Sequence, residues 1–144
     1  MHAQPKPEGG ALTPGLDAAQ VLVCSNMVGM AESLLYAHRA GIDANAMIDV
    51  VGKGAAASFV FNHLGPKAAA GDHAPGFMIE HMSKDLGIAL QEAERMGLQL
   101  PGLGLARRLY AGLLRHGHGK EGTQALVLAL EDVDKFGAPV ETLS

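Results

Sequence analysis

The sequence predicts an all-α domain, a helical bundle around one long buried helix. Three observations carry that reading. Apolar residues recur at steps of three and four through most of the chain. No stretch shows the strict apolar–polar alternation of a half-buried strand. Aromatic residues, which strands favour, make up only 4%. With 48% hydrophobic and 18% charged residues in 144, the composition is that of one folded domain with a single core.

Residues 1–15 hold Pro5, Pro7, Gly9, Gly10, Pro14 and Gly15, and read as a flexible tail or linker. The helical domain is expected over 16–136, with a short tail at 137–144. Asp17 suits an N-cap or first turn, and Gly41 suits the residue just past a helix end. Between them Val23, Met27, Met30, Leu34 and Ala37 share one face. Ser25, Gly29 and Ser33 line another face, where small residues let a second helix approach closely. A helix with so few charges is expected to be central, and to lie against a second chain or domain as well.

A short helix is expected from about Ala44 to Val51, followed by a Gly- and Ala-rich break over Gly52–Ala57. The next helix, Ser58 to Ala69, should bend or divide at Gly65-Pro66. A loop over Gly71–Gly76 leads to a helix from about Met78 to Met96, closed by Gly97. Pro101 suits the start of the next helix, which runs to about His116. A second loop, Gly117–Gly122, precedes a last helix over Thr123–Lys135.

A net charge of -4 and a pI near 5.9, with no basic stripe, argue against a nucleic-acid surface. Cys24 is the single cysteine. It cannot form an internal disulfide and fits a reducing compartment such as the cytoplasm, and its apolar helix makes it a core residue. No secretory signal is expected, since the first sixteen residues lack an apolar block. No membrane span is expected either, because Asn26, Glu32 and His38 interrupt the apolar runs.

The richest segment is Pro75–Leu86. Ile79, Met82, Leu86, Ala89, Ala93 and Met96 form the core stripe of its helix, while Phe77, His81, Lys84 and Ile88 share a different face. An ammonium beside a ring can meet a phosphate, a carboxylate or a polarised carbonyl. The residues alone favour a solvated lysine on an amphipathic helix. Lys84 and Asp85 are adjacent and point apart, so they need not pair.

In this order Asn26–Leu34, His38–Asp43, Gly54–Ser58, Gly71–Phe77 with Lys84-Asp85-Leu86, and Gly97–Pro101 with Tyr110 resemble one family. It is the C-terminal helical domain of β-hydroxyacid dehydrogenases, the 3-hydroxyisobutyrate dehydrogenase and tartronate-semialdehyde reductase group. Its fold is similar to the C-terminal domain of 6-phosphogluconate dehydrogenase. The resemblance implies an NAD(P)-dependent oxidoreductase acting on a CH–OH group, moving hydride between NAD or NADP and a small 3-hydroxy acid or semialdehyde. It implies that Lys84 and Phe77 contact the nicotinamide end of the cofactor and that Asp85 helps orient Lys84. It also implies a homodimer through the long helix.

Two departures qualify the expected activity. No strand followed by G-x-G-x-x-G is present, and Gly102–Gly104 lacks the context, so the cofactor would need a separate or upstream Rossmann domain. The chain therefore reads as a fragment or split half, not expected to be active alone. The family's catalytic Lys, sixteen residues before the position of Glu32, corresponds to Leu16, which cannot exchange a proton, so no catalytic residue is assigned. The family's Asn corresponds to Gln20. The alternative is a non-catalytic helical dimerisation module. No metal site is expected from the seven His, which lack ligand spacing, and Gly117–Gly122 lacks the P-loop arrangement and reads as a surface loop.

Overall fold

The computed structural model describes residues 13–132. It is all-helical: α1 (Thr13–Arg39), α2 (Ala44–Val51), α3 (Phe59–Ala69), α4 (Ile79–Arg95), α5 (Pro101–Arg115), a 3₁₀ turn (Thr123–Leu126) and α6 (Val127–Glu131). The described residues contain no strand, only one antiparallel bridge between Met78 and Gly122.

Local chemistry sets the boundaries. The Asp43 side chain accepts from Ala46 N at 3.0 Å and starts α2, and the Ser58 hydroxyl accepts from Phe61 N at 2.9 Å and starts α3. Four helices end the same way. Gly41, Gly71, Gly97 and Gly117 take positive φ, and the next residue's N–H reaches back five residues, as Ile42 N does to Ala37 O at 2.8 Å. Only glycine enters that conformation without a Cβ penalty, so Gly41 and Gly97 act as the stop signals the sequence suggested, and Gly71 and Gly117, expected as loop residues, do the same.

α1 touches every other helix. Met27, Met30, Leu34 and Ala37 are buried as expected, joined by Cys24 and Ala31, while Val23 is half-buried. Around them close Ile48 of α2, Val60 and Phe61 of α3, Ile79, Met82 and Leu86 of α4, and Leu103, Leu109 and Leu113 of α5. Each fully buried side chain of this size contributes about 1.5–3 kcal/mol. The Cys24 thiol donates to Val21 O at 3.2 Å, and burial pushes its pKa up, as suits a core residue.

Several expected boundaries shift. Residues 13–15, assigned to the tail, are helical, because Pro14 in a first turn gives up an N–H that has no partner there. α3 is not divided at Gly65-Pro66. Pro66 falls near its C-terminal end, and a Cβ on Gly65 would lie 3.5 Å from the Ile48 side chain. The last helix opens as a 3₁₀ turn, where the Thr123 carbonyl accepts the Tyr110 hydroxyl at 3.0 Å. It ends at Glu131, and the expected stretch to Lys135 and the tail at 137–144 lie outside the described residues. Met96 of the α4 stripe is 43% exposed, since it caps the helix beyond the core.

α1 is not covered all round. Gly15, Ala18, Leu22, Ser25, Gly29, Glu32, Tyr36 and Arg39, spaced alternately three and four apart, form an open stripe, with Leu22 63% and Tyr36 75% exposed. Gly15–Arg39 is long and apolar enough to cross a membrane by length and composition, contrary to the expectation from its polar interruptions. Its buried side nevertheless forms the core of the bundle.

Tyr110 is fully buried, and burial raises its pKa well above the usual phenol range. Tyr110→Phe is expected to leave the Thr123 carbonyl without its donor and to lower stability by about 1–2 kcal/mol, read by denaturant unfolding. An unchanged midpoint would show that this hydroxyl does not anchor the turn.

Candidate functional site

Phe77 lies just before α4, whose N-cap is Met78. Its backbone belongs to a segment, 71–78, that is held by 117–124. Gly122 N donates to His73 O at 2.8 Å, Thr123 N to Phe77 O at 3.0 Å, Ile79 N to Glu121 O and Glu80 N to Gly119 O, both at 2.9 Å. The Gln124 amide nitrogen donates to Asp72 O and Ala74 O, each at 2.9 Å. At the rim, Glu121 lies 2.9 Å from His118 Nδ1 and 3.6 Å from His73 Nδ1, and Lys120 pairs with Glu80 at 3.1 Å.

The 117–122 loop is therefore not the plain surface loop its composition suggested. Gly119 and Gly122 are buried. A Cβ on Gly119 would meet Leu114 at 2.9 Å, and one on Gly122 would strike the Gln124 amide. A side chain at either position would force these neighbours to shift. Its small residues carried that signal, but nothing local named the partner segment.

Phe77, His81, Lys84 and Ile88 are all exposed on one side of α4. The Phe77 and His81 rings meet edge-on at 5.9 Å, a favourable arrangement that fixes the ring's outer edge. Lys84 has no hydrogen bond or ion pair among the described residues, so its ammonium is available to an anion or a carbonyl. Asp85, expected by resemblance to orient Lys84, accepts a hydrogen bond from Gln20 Nε2 at 3.1 Å. That contact joins α1 to α4 across 65 residues, a distance no local pattern could bridge. Leu16, one turn before Gln20, is 67% exposed and carries no titratable group.

A group of carboxylates surrounds that junction, unnoticed in the sequence because its members lie on two helices. Burial, then the nearby Glu92 and Asp85, push the Asp17 carboxyl up. The signal was present in part, since Asp85 and Glu92 are seven apart and so share a face of α4. Among the described residues no three His, Cys, Asp or Glu side chains are arranged to hold a metal ion. A raised carboxyl favours the folded state below its ordinary range, about 4, and that contribution is lost as pH rises through the folded value. Asp17→Asn is therefore expected to raise the melting temperature at pH 7, with the gain fading towards pH 3. A gain that persists at pH 3 would mean that charge is not its cause.

Residues 18–130 match the family model described as the NAD-binding domain of NADP-dependent 3-hydroxyisobutyrate dehydrogenase. Among curated proteins, the chain is 48% identical over 114 residues to the probable 3-hydroxyisobutyrate dehydrogenase-like 1, mitochondrial, of Arabidopsis thaliana, covering 79% of this chain and 34% of that one. It is 39% identical over 107 residues to the uncharacterized oxidoreductase YkwC of Bacillus subtilis, covering 74% and 37%. The crystal structure of 3-hydroxyisobutyrate dehydrogenase from Salmonella typhimurium superposes with a TM-score of 0.76 at 28% identity, over 80% of this chain and 40% of that one. The chain thus spans little more than a third of the length of these curated relatives. From Ala18 to Leu130, this chain belongs to the helical NAD-binding domain family of the 3-hydroxyisobutyrate dehydrogenases.

Proposed function

We propose that the chain is the helical part of an NAD(P)-dependent 3-hydroxyacid dehydrogenase, and that its α4 face receives the nicotinamide end of the cofactor. The observation that carries this reading is the Gln20–Asp85 hydrogen bond, which brings the start of α1 against α4 beside Lys84. The side chains fit such a group. The Phe77 ring offers an apolar edge, and the Lys84 ammonium is free to meet an amide oxygen or a phosphate. A bound nicotinamide cofactor supplies or accepts hydride. The substrate class, a small 3-hydroxy acid or its semialdehyde, rests on the names of the relatives and on the family resemblance.

In this reading the chain's residues bind and orient. Lys84 would hold the ring, Asp85 would keep α1 in place through Gln20, and Phe77 would shield one side from water. Proton exchange at the substrate oxygen requires a titratable group within hydrogen-bond reach, and Leu16 cannot serve. The dinucleotide-binding part is proposed to come from a separate or upstream Rossmann domain. Activity of these 144 residues alone is not expected. Cys24 fits a reducing compartment, cytoplasm or mitochondrion.

A second reading, a non-catalytic dimerisation module, is favoured by one observation, the open stripe of α1. Both readings share a homodimer through that stripe. A Cβ on Gly29 has nothing within 4 Å, so a larger residue fits the single chain and acts only on a neighbour.

Two measurements test these readings. Reduced nicotinamide mononucleotide titrated into the labelled chain is expected to shift the NMR signals of Phe77, Lys84 and Asp85. Lys84→Ala should weaken that binding about tenfold, the worth of one charge-assisted contact. Equal affinity for the variant would return Lys84 to the status of a surface lysine. Gly29→Leu is expected to weaken self-association in sedimentation equilibrium while leaving the helical circular dichroism unchanged. A dimer constant equal to that of the parent would exclude the Ser25–Gly29–Ser33 face as the contact.

A further inference from the structure

Gln124 is 1% exposed. A buried amide is costly unless its hydrogen bonds are made. Here both protons of the nitrogen are used, on Asp72 O and Ala74 O at 2.9 Å, about fifty residues earlier in the chain, while the buried Oε1 has no hydrogen-bond partner among the described residues. The two acceptors flank His73 on the loop that leads into Phe77. No other side chain substitutes readily. Glu cannot donate, Asn is shorter by a methylene, and Lys would bury a charge beside the apolar core.

The position of Gln124 is itself fixed. The preceding carbonyl, Thr123 O, accepts the fully buried Tyr110 hydroxyl, so the turn is anchored to α5. The Gln124 amide sits over Gly122, where any Cβ would collide with it. A rigid path thus runs from Tyr110 in the core, through Thr123 and Gln124, to the Asp72–Ala74 carbonyls, and on to Phe77. Among the described residues, the Phe77 backbone is tied to this path by the bond its carbonyl accepts from Thr123 N at 3.0 Å.

We infer that Gln124 is the positioning residue for the nicotinamide contact, holding the 72–77 loop so that the Phe77 ring stands on the Lys84 side of α4. Gln124 touches neither ring nor ammonium and acts through the loop. The functional half of this inference rests on the proposed role of Phe77 and Lys84, and the structural half does not.

The experiment therefore has two readouts on the whole 144-residue chain, for the parent, Gln124→Glu and Gln124→Met. The first is amide hydrogen exchange. The amides of Ile79, Glu80, Gly122 and Thr123, which close the bonds between the two segments, are expected to exchange about tenfold faster in both variants, the effect of losing one or two hydrogen bonds. Protection of the Met27–Leu34 amides of α1 should stay unchanged. The second is the affinity for reduced nicotinamide mononucleotide, expected to fall several-fold with Lys84 intact. Unchanged exchange at the four amides would overturn the inference. So would faster exchange throughout α1, which would reduce Gln124 to general packing. Local loosening with full affinity would overturn its role in positioning. If the parent itself binds no mononucleotide, the functional reading fails, and the exchange data alone decide whether Gln124 holds the loop.

Discussion

Everything in this domain depends on the burial of one side of α1. Cys24, Met27, Met30, Ala31 and Leu34 present a continuous apolar strip that no other element could cover alone. α2, α3, α4, α5 and α6 each close part of it. The spacing of these side chains sets where each neighbour lies, because close-packed interiors leave little freedom to slide. Once α4 is seated on that strip, Asp85 comes within reach of Gln20, and Lys84 is carried to the outer side.

The site residues follow from this arrangement rather than from any local motif. Lys84 is available because the α4 stripe of Ile79, Met82, Leu86 and Ala89 turns inward, which leaves the opposite face to solvent. Phe77 is placed differently. It precedes the helix, so its position is inherited from the loop that the 117–124 segment grips. The two halves of the proposed nicotinamide contact are thus supported by separate parts of the fold, one by the α1–α4 interface and one by the Tyr110–Gln124 path.

Leu16, one turn before Gln20, carries no group that could exchange a proton. A leucine 67% exposed at the start of α1 gains nothing from burial in this chain. Burial, and after it the neighbouring Glu92 and Asp85 carboxylates, keep the Asp17 carboxyl raised.

Sequence spacing alone determined the helical class, the inward stripe of α4 and most of α1, and Gly41 and Gly97 as helix ends, because each of these is settled within a few residues by backbone sterics and side-chain spacing. The family resemblance, carried by ordered short segments, was also legible, and so were Phe77, Lys84 and Asp85 as candidates. Tertiary structure alone decided the rest. It paired Asp85 with Gln20, gathered Asp17 with Glu92, buried Gly119 and Gly122, and gave Gln124 its two carbonyls. It also opened the last helix as a 3₁₀ turn ahead of α6, where the Tyr110 hydroxyl claims the Thr123 carbonyl. These contacts join residues tens of positions apart, and their energies depend on burial and distance. Both quantities exist only once the chain has packed around α1.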